Sequence, residues 1–252
     1  MSKRILVILV NGIGENNGGV LRRLENFLPK DRYEIIALPY KADYGPAPGL
    51  VGLPFEQTLI DARSLLLRWC RSVHRNRVIV LVGYSAGAQI VGDVAAELAR
   101  SGDRAGVVGA VMLSDPSQPK GLAPGGKYGV RGSRTIPGGI AAEWWFDIND
   151  VICCCTPPPK SLIRVFADHS SEFSLAGPRA WSATLVRLKV KQFQSYLPGG
   201  KPEDIRMRIA VARHEAEGYL VRGDHTSYHI RKNSDGVTYI ESIANWIKKL
   251  KA

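Results

Sequence analysis

VIVLVGYSAGAQIVG, residues 78–92, is the stretch that decides the fold. Its first five residues are apolar and mostly β-branched, a pattern that predicts a buried strand. The strand runs into Gly83–Gly87, which has the form G-x-S-x-G, and then into small residues that predict a helix. This strand–turn–helix context predicts a nucleophile elbow, a tight turn that lifts the Ser85 hydroxyl above the sheet. The stretch therefore favours a serine hydrolase over a glycine-rich loop without chemistry.

Strand and helix patterns alternate along the first half of the chain, which predicts a parallel sheet flanked by helices. The predicted strands are Arg4–Val10, Tyr33–Ala37, Val78–Val82, Val107–Leu113, Trp144–Phe146 and Leu162–Ala167. The predicted helices are Val20–Phe27, Glu56–Arg75, Ala86–Arg100, Ala180–Tyr196, Pro202–Glu217 and Thr238–Leu250. Between them, residues 115–141 are crowded with glycine and proline, and a long irregular segment of this kind is usually functional or mobile. We expect a single α/β domain over residues 1–252, with a helical cap inserted at 172–220.

The composition limits the class of protein. An apolar content of 45% in 252 residues argues against disorder. The net charge is +11, most of it from Lys160 onward, and a basic surface favours anionic partners. However, neither zinc-ligand spacing nor an aromatic RNA-binding signature accompanies the charge, so no nucleic acid is expected.

Apolar runs are short throughout the chain. None approaches the roughly 20 residues of a membrane span. The six apolar residues Ile5–Val10 are too few for the core of a signal peptide. We therefore expect a soluble protein that has no export signal and does not insert stably into a membrane. We also expect a monomer. The four cysteines, Cys70 and Cys153 to Cys155, form no C-x-x-C motif and are predicted to be reduced packing residues.

A serine nucleophile needs a histidine base that a carboxylate orients. In α/β-hydrolases the chain order is serine, acid, histidine. His225 is the preferred base, because it lies in a turn-rich segment shortly before the closing helix. His169, just after a predicted strand, and His229 remain alternatives.

Three aspartates compete for the role of the acid. Asp147 and Asp150 follow the strand Trp144–Phe146, and residues at the carboxyl ends of parallel strands face the active-site crevice. Asp150 is preferred, with Asp147 and Asp168 as alternatives. Asp115 also ends a strand but comes too early in the chain, so we expect it to shape the pocket or a turn.

The oxyanion hole should combine the backbone N–H of Ala86 with one from Ile13, in the loop after the first strand. Gly12 allows the backbone of that loop to approach a ligand closely. The predicted substrate contacts are Gly12, Tyr84, Asp115 and Tyr228. The chemistry requires no metal and no cofactor.

Together these residues resemble the cutinase-like branch of the α/β-hydrolases. The resemblance rests on four segments: residues 83–88, Asp115-Pro116, Asp150-x-Ile152-Cys153 and His225-x-x-Tyr228. It is closer to the lysin B family, esterases encoded by phages of mycolic-acid-bearing bacteria. Membership would make Ser85 the nucleophile, Asp150 the acid and His225 the base. It also implies a lipid ester substrate, the mycolic acid–arabinogalactan ester, and a protein made in the host cytoplasm that acts at the cell envelope during phage-induced lysis.

Three positions depart from these families. Cutinases pair the cysteine after the acid with an earlier one, but residues 71–152 contain no cysteine, so that disulfide is absent. Ile13 stands where cutinases have serine or threonine, which leaves only backbone for the oxyanion hole there. Ala86 replaces the glutamine of many lysin B proteins, although its backbone N–H is retained.

Other functions are compatible with parts of the sequence. A generic cutinase-like lipolytic esterase shares the same motifs. Gly12–Gly18 approximates a dinucleotide loop, and Tyr228 with Lys232 forms the Y-x-x-x-K of short-chain dehydrogenases. The loop spacing departs from G-x-G-x-x-G, and no clear acid ends the second strand, so an NAD(P)-dependent oxidoreductase is disfavoured. A non-catalytic protein that binds polyanions through a hydrolase scaffold is also disfavoured, because a complete candidate triad is present.

Overall fold

A computed structural model describes residues 4–15, 19–40, 55–157, 160–161, 163–164 and 202–250. Within these residues, five parallel strands form one sheet in the order β2-β1-β3-β4-β5. The strands are β1 (Ile5–Val10), β2 (Tyr33–Ala37), β3 (Ile79–Tyr84), β4 (Val107–Leu113) and β5 (Ala141–Trp145). The central position of β3 in this sheet explains why its residues are almost wholly apolar: every one of them is buried.

The described residues include four α-helices beside the sheet: α1 (Phe55–Arg68), α2 (Ala86–Ser101), α3 (Pro202–Leu220) and α4 (Tyr239–Lys249). Helix α1 continues into a π-helical turn over Trp69–Val73, and 3₁₀ helices span Val20–Asn26 and Pro124–Gly126. Helix α4 is preceded by Thr238, whose hydroxyl accepts a hydrogen bond from the backbone N–H of Glu241 (3.2 Å). This is the expected N-terminal cap of a helix.

Strand residues alternate between two apolar clusters, because successive side chains of a strand point to opposite faces. Leu6, Ile8 and Leu81 pack in the cluster that also contains buried residues of α1, α2 and α3. Val7 and Val82 pack with the 3₁₀ helix Val20–Asn26 and with α4. The sheet is thus covered on both sides, as a parallel sheet requires.

The register brings several strand ends to one edge of the sheet. Tyr84 of β3 lies opposite Leu113 of β4, and Leu113 lies opposite Trp145 of β5. Val10 of β1 pairs with Gly83, the residue before Tyr84. The segments that follow these strands therefore begin side by side, and polar residues in them can meet.

The α/β class and the parallel sheet are confirmed, with shifts at some boundaries. The strand expected at Trp144–Phe146 is Ala141–Trp145, because its pairing with β4 begins at Gly109 and Ala141. The helix expected over Glu56–Arg75 leaves the α-helical form after Arg68, where the N–H of His74 bonds the carbonyl of Trp69 five residues earlier (2.8 Å).

The prediction of a strand over Leu162–Ala167 is wrong at the two of its residues that the structure describes. Ile163 and Arg164 have helical backbone. Arg164 is buried, and its guanidinium donates to the carbonyls of Tyr128 and Gly129 (both 2.9 Å). These hydrogen bonds connect the segment to the 115–141 loop. The apolar pattern that predicted a strand contains no information about this long-range contact.

The expected cap lies largely outside the described residues, since these omit 165–201 and with them the predicted helix Ala180–Tyr196. Its last helix is present as α3, which extends three residues beyond the predicted Glu217. Within the described part of the chain, no helix combines the length and apolarity needed to cross a membrane.

Candidate active site

The turn between β3 and α2 is built around close backbone contacts that only glycine permits. A Cβ on Gly83 would lie 2.3 Å from the carbonyl oxygen of Gly87, and one on Gly87 would lie 1.9 Å from that of Val10. Between them, Ser85 adopts φ 56° and ψ −120°, which an L-residue rarely occupies. The two glycines of the G-x-S-x-G pattern therefore allow the strained elbow that presents the Ser85 side chain.

Ser85, His225 and Asp150 form one hydrogen-bonded chain. His225 Nε2 lies 2.9 Å from Ser85 Oγ, and His225 Nδ1 lies 2.9 Å from Asp150 Oδ2. An ionised carboxylate can only accept, so Nδ1 carries the proton and Nε2 is free to accept from the serine hydroxyl. All three residues are at most 5% exposed. This is the arrangement in which a histidine can remove the proton of a serine.

Asp150 accepts more hydrogen bonds than the histidine alone provides. Tyr228 donates its hydroxyl to Oδ2 (2.7 Å), Ser114 donates to the same oxygen (2.5 Å), and the N–H of Ile152 donates to Oδ1 (3.0 Å). Burial raises the pKa of Asp150, but the facing His225 and the two hydroxyls outweigh burial and lower it below its usual value. The carboxyl is therefore held in its charged form.

The imidazole of His225 lies between two aromatic rings. The ring of Tyr84 is stacked at 5.2 Å between centroids, and that of Tyr219, from α3, at 5.1 Å. The hydroxyl of Tyr84 also donates to the backbone carbonyl of His225 (2.6 Å). These contacts fix the ring plane, and aromatic faces favour a cation between them. Tyr84, which was predicted to contact the substrate, thus has its ring against the imidazole of His225.

The loop after β1 passes beside the nucleophile. A Cβ on Gly12 would lie 3.4 Å from the Cβ of Ser85. The N–H of Gly12 donates to the carboxylate of Glu15 (3.0 Å), so this donor already has an acceptor. Ala86 is the first residue of α2, where an N–H has no acceptor within the helix. The backbone at Gly12 thus lies beside Ser85, and Ala86 follows the serine directly at the start of α2, while the donor expected at Ile13 stays a prediction.

Two predicted substrate contacts have other partners in the structure. Asp115 is fully buried and accepts from the indole of Trp144 (3.0 Å), the N–H of Ser117 (2.9 Å) and the guanidinium of Arg134. Burial raises the pKa of Asp115, and Arg134 opposes that shift. The carboxylate of Asp115 therefore links the indole of Trp144 to the loop residues Ser117 and Arg134. Tyr228 is 1% exposed and holds Asp150, so it contacts the acid and is shielded from a ligand.

The alternative acids and bases are placed differently. Asp147 forms an ion pair with Arg231, which also pairs with Asp224 (2.8 Å). His229 has a buried Nδ1 that makes no hydrogen bond to the described residues. His169 and Asp168 lie outside the described residues. The four cysteines are all buried free thiols.

Sequence reasoning missed Ser114 and Tyr219 as parts of this site. Ser114 directly follows β4, so its place at the carboxyl end of a strand was a usable signal. The sequence has no such signal for Tyr219, because its contact with His225 depends on how α3 packs against the sheet.

The parallel sheet, the elbow and the order serine, acid, histidine define the α/β-hydrolase fold. Lysin B from Mycobacteriophage D29 is similar in structure to this chain, with a TM-score of 0.55 and 13% identity over 98% of this chain and 100% of that one. The catalytic core domain of acetyl xylan esterase from Trichoderma reesei has a TM-score of 0.48 and 20% identity, over 68% of this chain and 95% of that one. A cutinase-like protein from Cryptococcus sp. has a TM-score of 0.44 and 20% identity, over 60% of this chain and 79% of that one. No protein-family model matches the sequence, and no curated protein matches it either.

Proposed function

We propose that this protein is a serine esterase that uses Ser85 as nucleophile, His225 as base and Asp150 as the orienting acid. The observation that carries the proposal is the hydrogen-bonded chain of the three side chains, with both links at 2.9 Å. The strained elbow at Ser85 and the stacked imidazole add support, since both hold reacting groups in a fixed geometry.

The reaction has two steps. His225 Nε2 takes the hydroxyl proton as Ser85 Oγ attacks the ester carbonyl, and the N–H groups of Ala86 and Ile13 stabilise the oxyanion. When the tetrahedral intermediate collapses, His225 returns the proton to the leaving alcohol and an acyl-serine remains. Water then attacks the acyl carbon while His225 takes a proton from it, and the acid and free Ser85 are released. Asp150 keeps the proton on Nδ1 and balances the imidazolium charge in both steps.

Replacing Ser85 with alanine tests this mechanism. We expect S85A to lose about 10⁶-fold in kcat on a nitrophenyl ester. It should also fail to react with a fluorophosphonate probe, which labels only an activated serine rapidly. S101A is the matched control, because Ser101 is an exposed serine at the other end of α2. Esterase activity retained by pure S85A would disprove the assignment of the nucleophile.

For the substrate we propose the ester that joins mycolic acids to arabinogalactan, cleaved during phage-induced lysis of the host. The support is the resemblance of residues 83–88, 115–116, 150–153 and 225–228 to lysin B proteins. The structural similarity to the phage lysin B concerns the fold and is compatible with this substrate.

A comparison of two substrates separates this proposal from its main alternative, a generic cutinase-like lipolytic esterase. The protein would be offered a short nitrophenyl ester and purified mycolyl-arabinogalactan, with S85A as the blank for both. Release of mycolic acid at a rate above that blank supports the lysin B reading. Hydrolysis of the nitrophenyl ester alone would favour the generic esterase and reject the mycolyl substrate.

A further inference from the structure

Ser114 occupies an unusual place at the end of β4. Its φ is 54°, a left-handed conformation that favours glycine, yet the residue is a serine and is fully buried. Its N–H donates to the carbonyl of Trp145 on the neighbouring strand (2.9 Å), so the backbone is fixed by the sheet. The side chain is thereby directed into the space between the acid and the base.

The hydroxyl of Ser114 contacts both partners of that pair. Its oxygen lies 2.5 Å from Asp150 Oδ2 and 3.0 Å from His225 Nδ1. A serine hydroxyl has one proton, and that proton goes to the carboxylate, which can only accept. Toward Nδ1 the oxygen must then be an acceptor, so the Nδ1 proton is shared between Asp150 and Ser114.

A second hydroxyl completes the arrangement. Tyr228 donates to the same Oδ2 (2.7 Å) and accepts from the backbone N–H of Asp147 (3.1 Å). Tyr228 comes three residues after His225, and Ser114 comes from a different strand end. The carboxylate oxygen that faces the imidazole is therefore held from two independent parts of the chain.

We propose that Ser114 is a positioning residue, which holds Asp150 Oδ2 with its proton and accepts the Nδ1 proton of His225 with its lone pair. This inference rests on the proposed esterase function for its consequence in catalysis. The contact of Ser114 with the Nδ1 proton of His225 does not depend on whether the protein is an esterase. The tautomer that leaves Nε2 free for Ser85 is then specified by two acceptors of the Nδ1 proton, Asp150 and Ser114.

Two substitutions separate the hydroxyl from the backbone. S114A removes the hydroxyl and keeps a Cβ in the left-handed conformation, whereas S114G removes the hydroxyl and relieves that strain. S242A is the control, because Ser242 is a buried serine on α4 whose hydroxyl accepts from Asn233 (2.8 Å). Circular dichroism and thermal melting identify the folded variants.

The readouts are kcat and KM on a nitrophenyl ester and the proton NMR signal of the His225 Nδ1–H in the resting protein. We expect both Ser114 variants to lose about ten-fold to a hundred-fold in kcat, as for the loss of one hydrogen bond to a charged group, with KM little changed. We also expect the far-downfield Nδ1–H signal to shift or to exchange faster with water, in both variants and not in S242A.

Three results would overturn the inference. One is an unchanged Nδ1–H signal in folded S114A, even if the activity falls, because the role would then be structural. Another is wild-type kcat in both variants. The third is impairment of S114A with full activity in S114G, which would assign the effect to the backbone. If the wild-type protein has no esterase activity, the proposed function fails, and the NMR signal still decides the contact of Ser114 with the imidazole proton.

Discussion

Replacing Asp150 with asparagine tests the buried end of the hydrogen-bonded chain without changing its shape. In the fold, the N–H of Ile152 donates to Oδ1, so the amide of D150N should place its oxygen there and its NH₂ at the position of Oδ2. That NH₂ would face the Nδ1–H of His225, donor against donor. The imidazole relieves the clash when its proton moves to Nε2, and Nε2 can then no longer accept from Ser85.

The expected cost follows from this wrong tautomer. We expect kcat to fall about 10⁴-fold, the size of effect known for the equivalent change in a serine protease, which corresponds to about 5 kcal/mol of transition-state stabilisation. The opposite amide orientation does not rescue activity cheaply, because it leaves the buried N–H of Ile152 without an acceptor at a cost of about 1–3 kcal/mol. Steady-state hydrolysis of a nitrophenyl ester measures the loss.

Asp147 provides the matched control, since it lies three residues before Asp150 at the end of the same strand and loop. Its carboxylate pairs with Arg231, whose side chain is 30% exposed. We expect D147N to lower stability by about 1–2 kcal/mol, or roughly 2–8 °C in Tm, and to keep the wild-type kcat. Folded D150N with kcat within ten-fold of wild type would refute the reasoning. A large loss of kcat in D147N in place of D150N would show that Asp147, and not Asp150, is the acid.

Three further outcomes follow from the structure. Because the pKa of Asp150 is lowered below its unfolded value of about 3.9, its ionised form stabilises the fold at neutral pH, and this contribution is lost as the pH falls through the folded pKa. The difference in Tm between wild type and D150N should thus shrink below about pH 4 in melting curves, and a difference independent of pH would contradict the sign. Arg134→Ala should cost about 3–5 kcal/mol in urea unfolding, because it leaves the fully buried Asp115 without its cation, and an unchanged midpoint would refute that role. Gly87→Ala should abolish fluorophosphonate labelling and lower Tm strongly, since its Cβ would lie 1.9 Å from the backbone oxygen of Val10; normal labelling would show that the elbow is less tight than described.

The sheet could be predicted from the sequence because its strands are encoded locally. The apolar runs before Ser85 and before Ser114 are nearly continuous, which is typical of strands buried on both faces. The elbow was equally local, since Gly83 and Gly87 satisfy a constraint that acts within a few residues. Helix α4 was predictable from its apolar spacing and its lysines in the last turn.

The site was predictable only in part, because it is assembled from distant segments. The order serine, acid, histidine and the positions of strand ends selected Ser85, Asp150 and His225, and the structure places these three in contact. The ring of Tyr219 against His225 depends on the packing of α3, for which the sequence has no local signal. The helical backbone at Ile163 and Arg164 has the same origin, since the buried guanidinium of Arg164 bonds carbonyls more than 30 residues away.

The backbone strain in this protein is concentrated where the proposed chemistry occurs. Among the described residues, three that are not glycine have positive φ, namely Ser85, Ala105 and Ser114. Two of these directly follow adjacent strands, and both place a hydroxyl within hydrogen-bond distance of His225. A left-handed conformation costs such residues about 1–2 kcal/mol each, so the sheet must stabilise them. It does so through the bonds from the N–H of Ser85 to Leu113 and from that of Ser114 to Trp145, both 2.9 Å. The rigid pairing of β3, β4 and β5 thus holds two strained serines, one from each of two neighbouring strand ends, on either side of one imidazole.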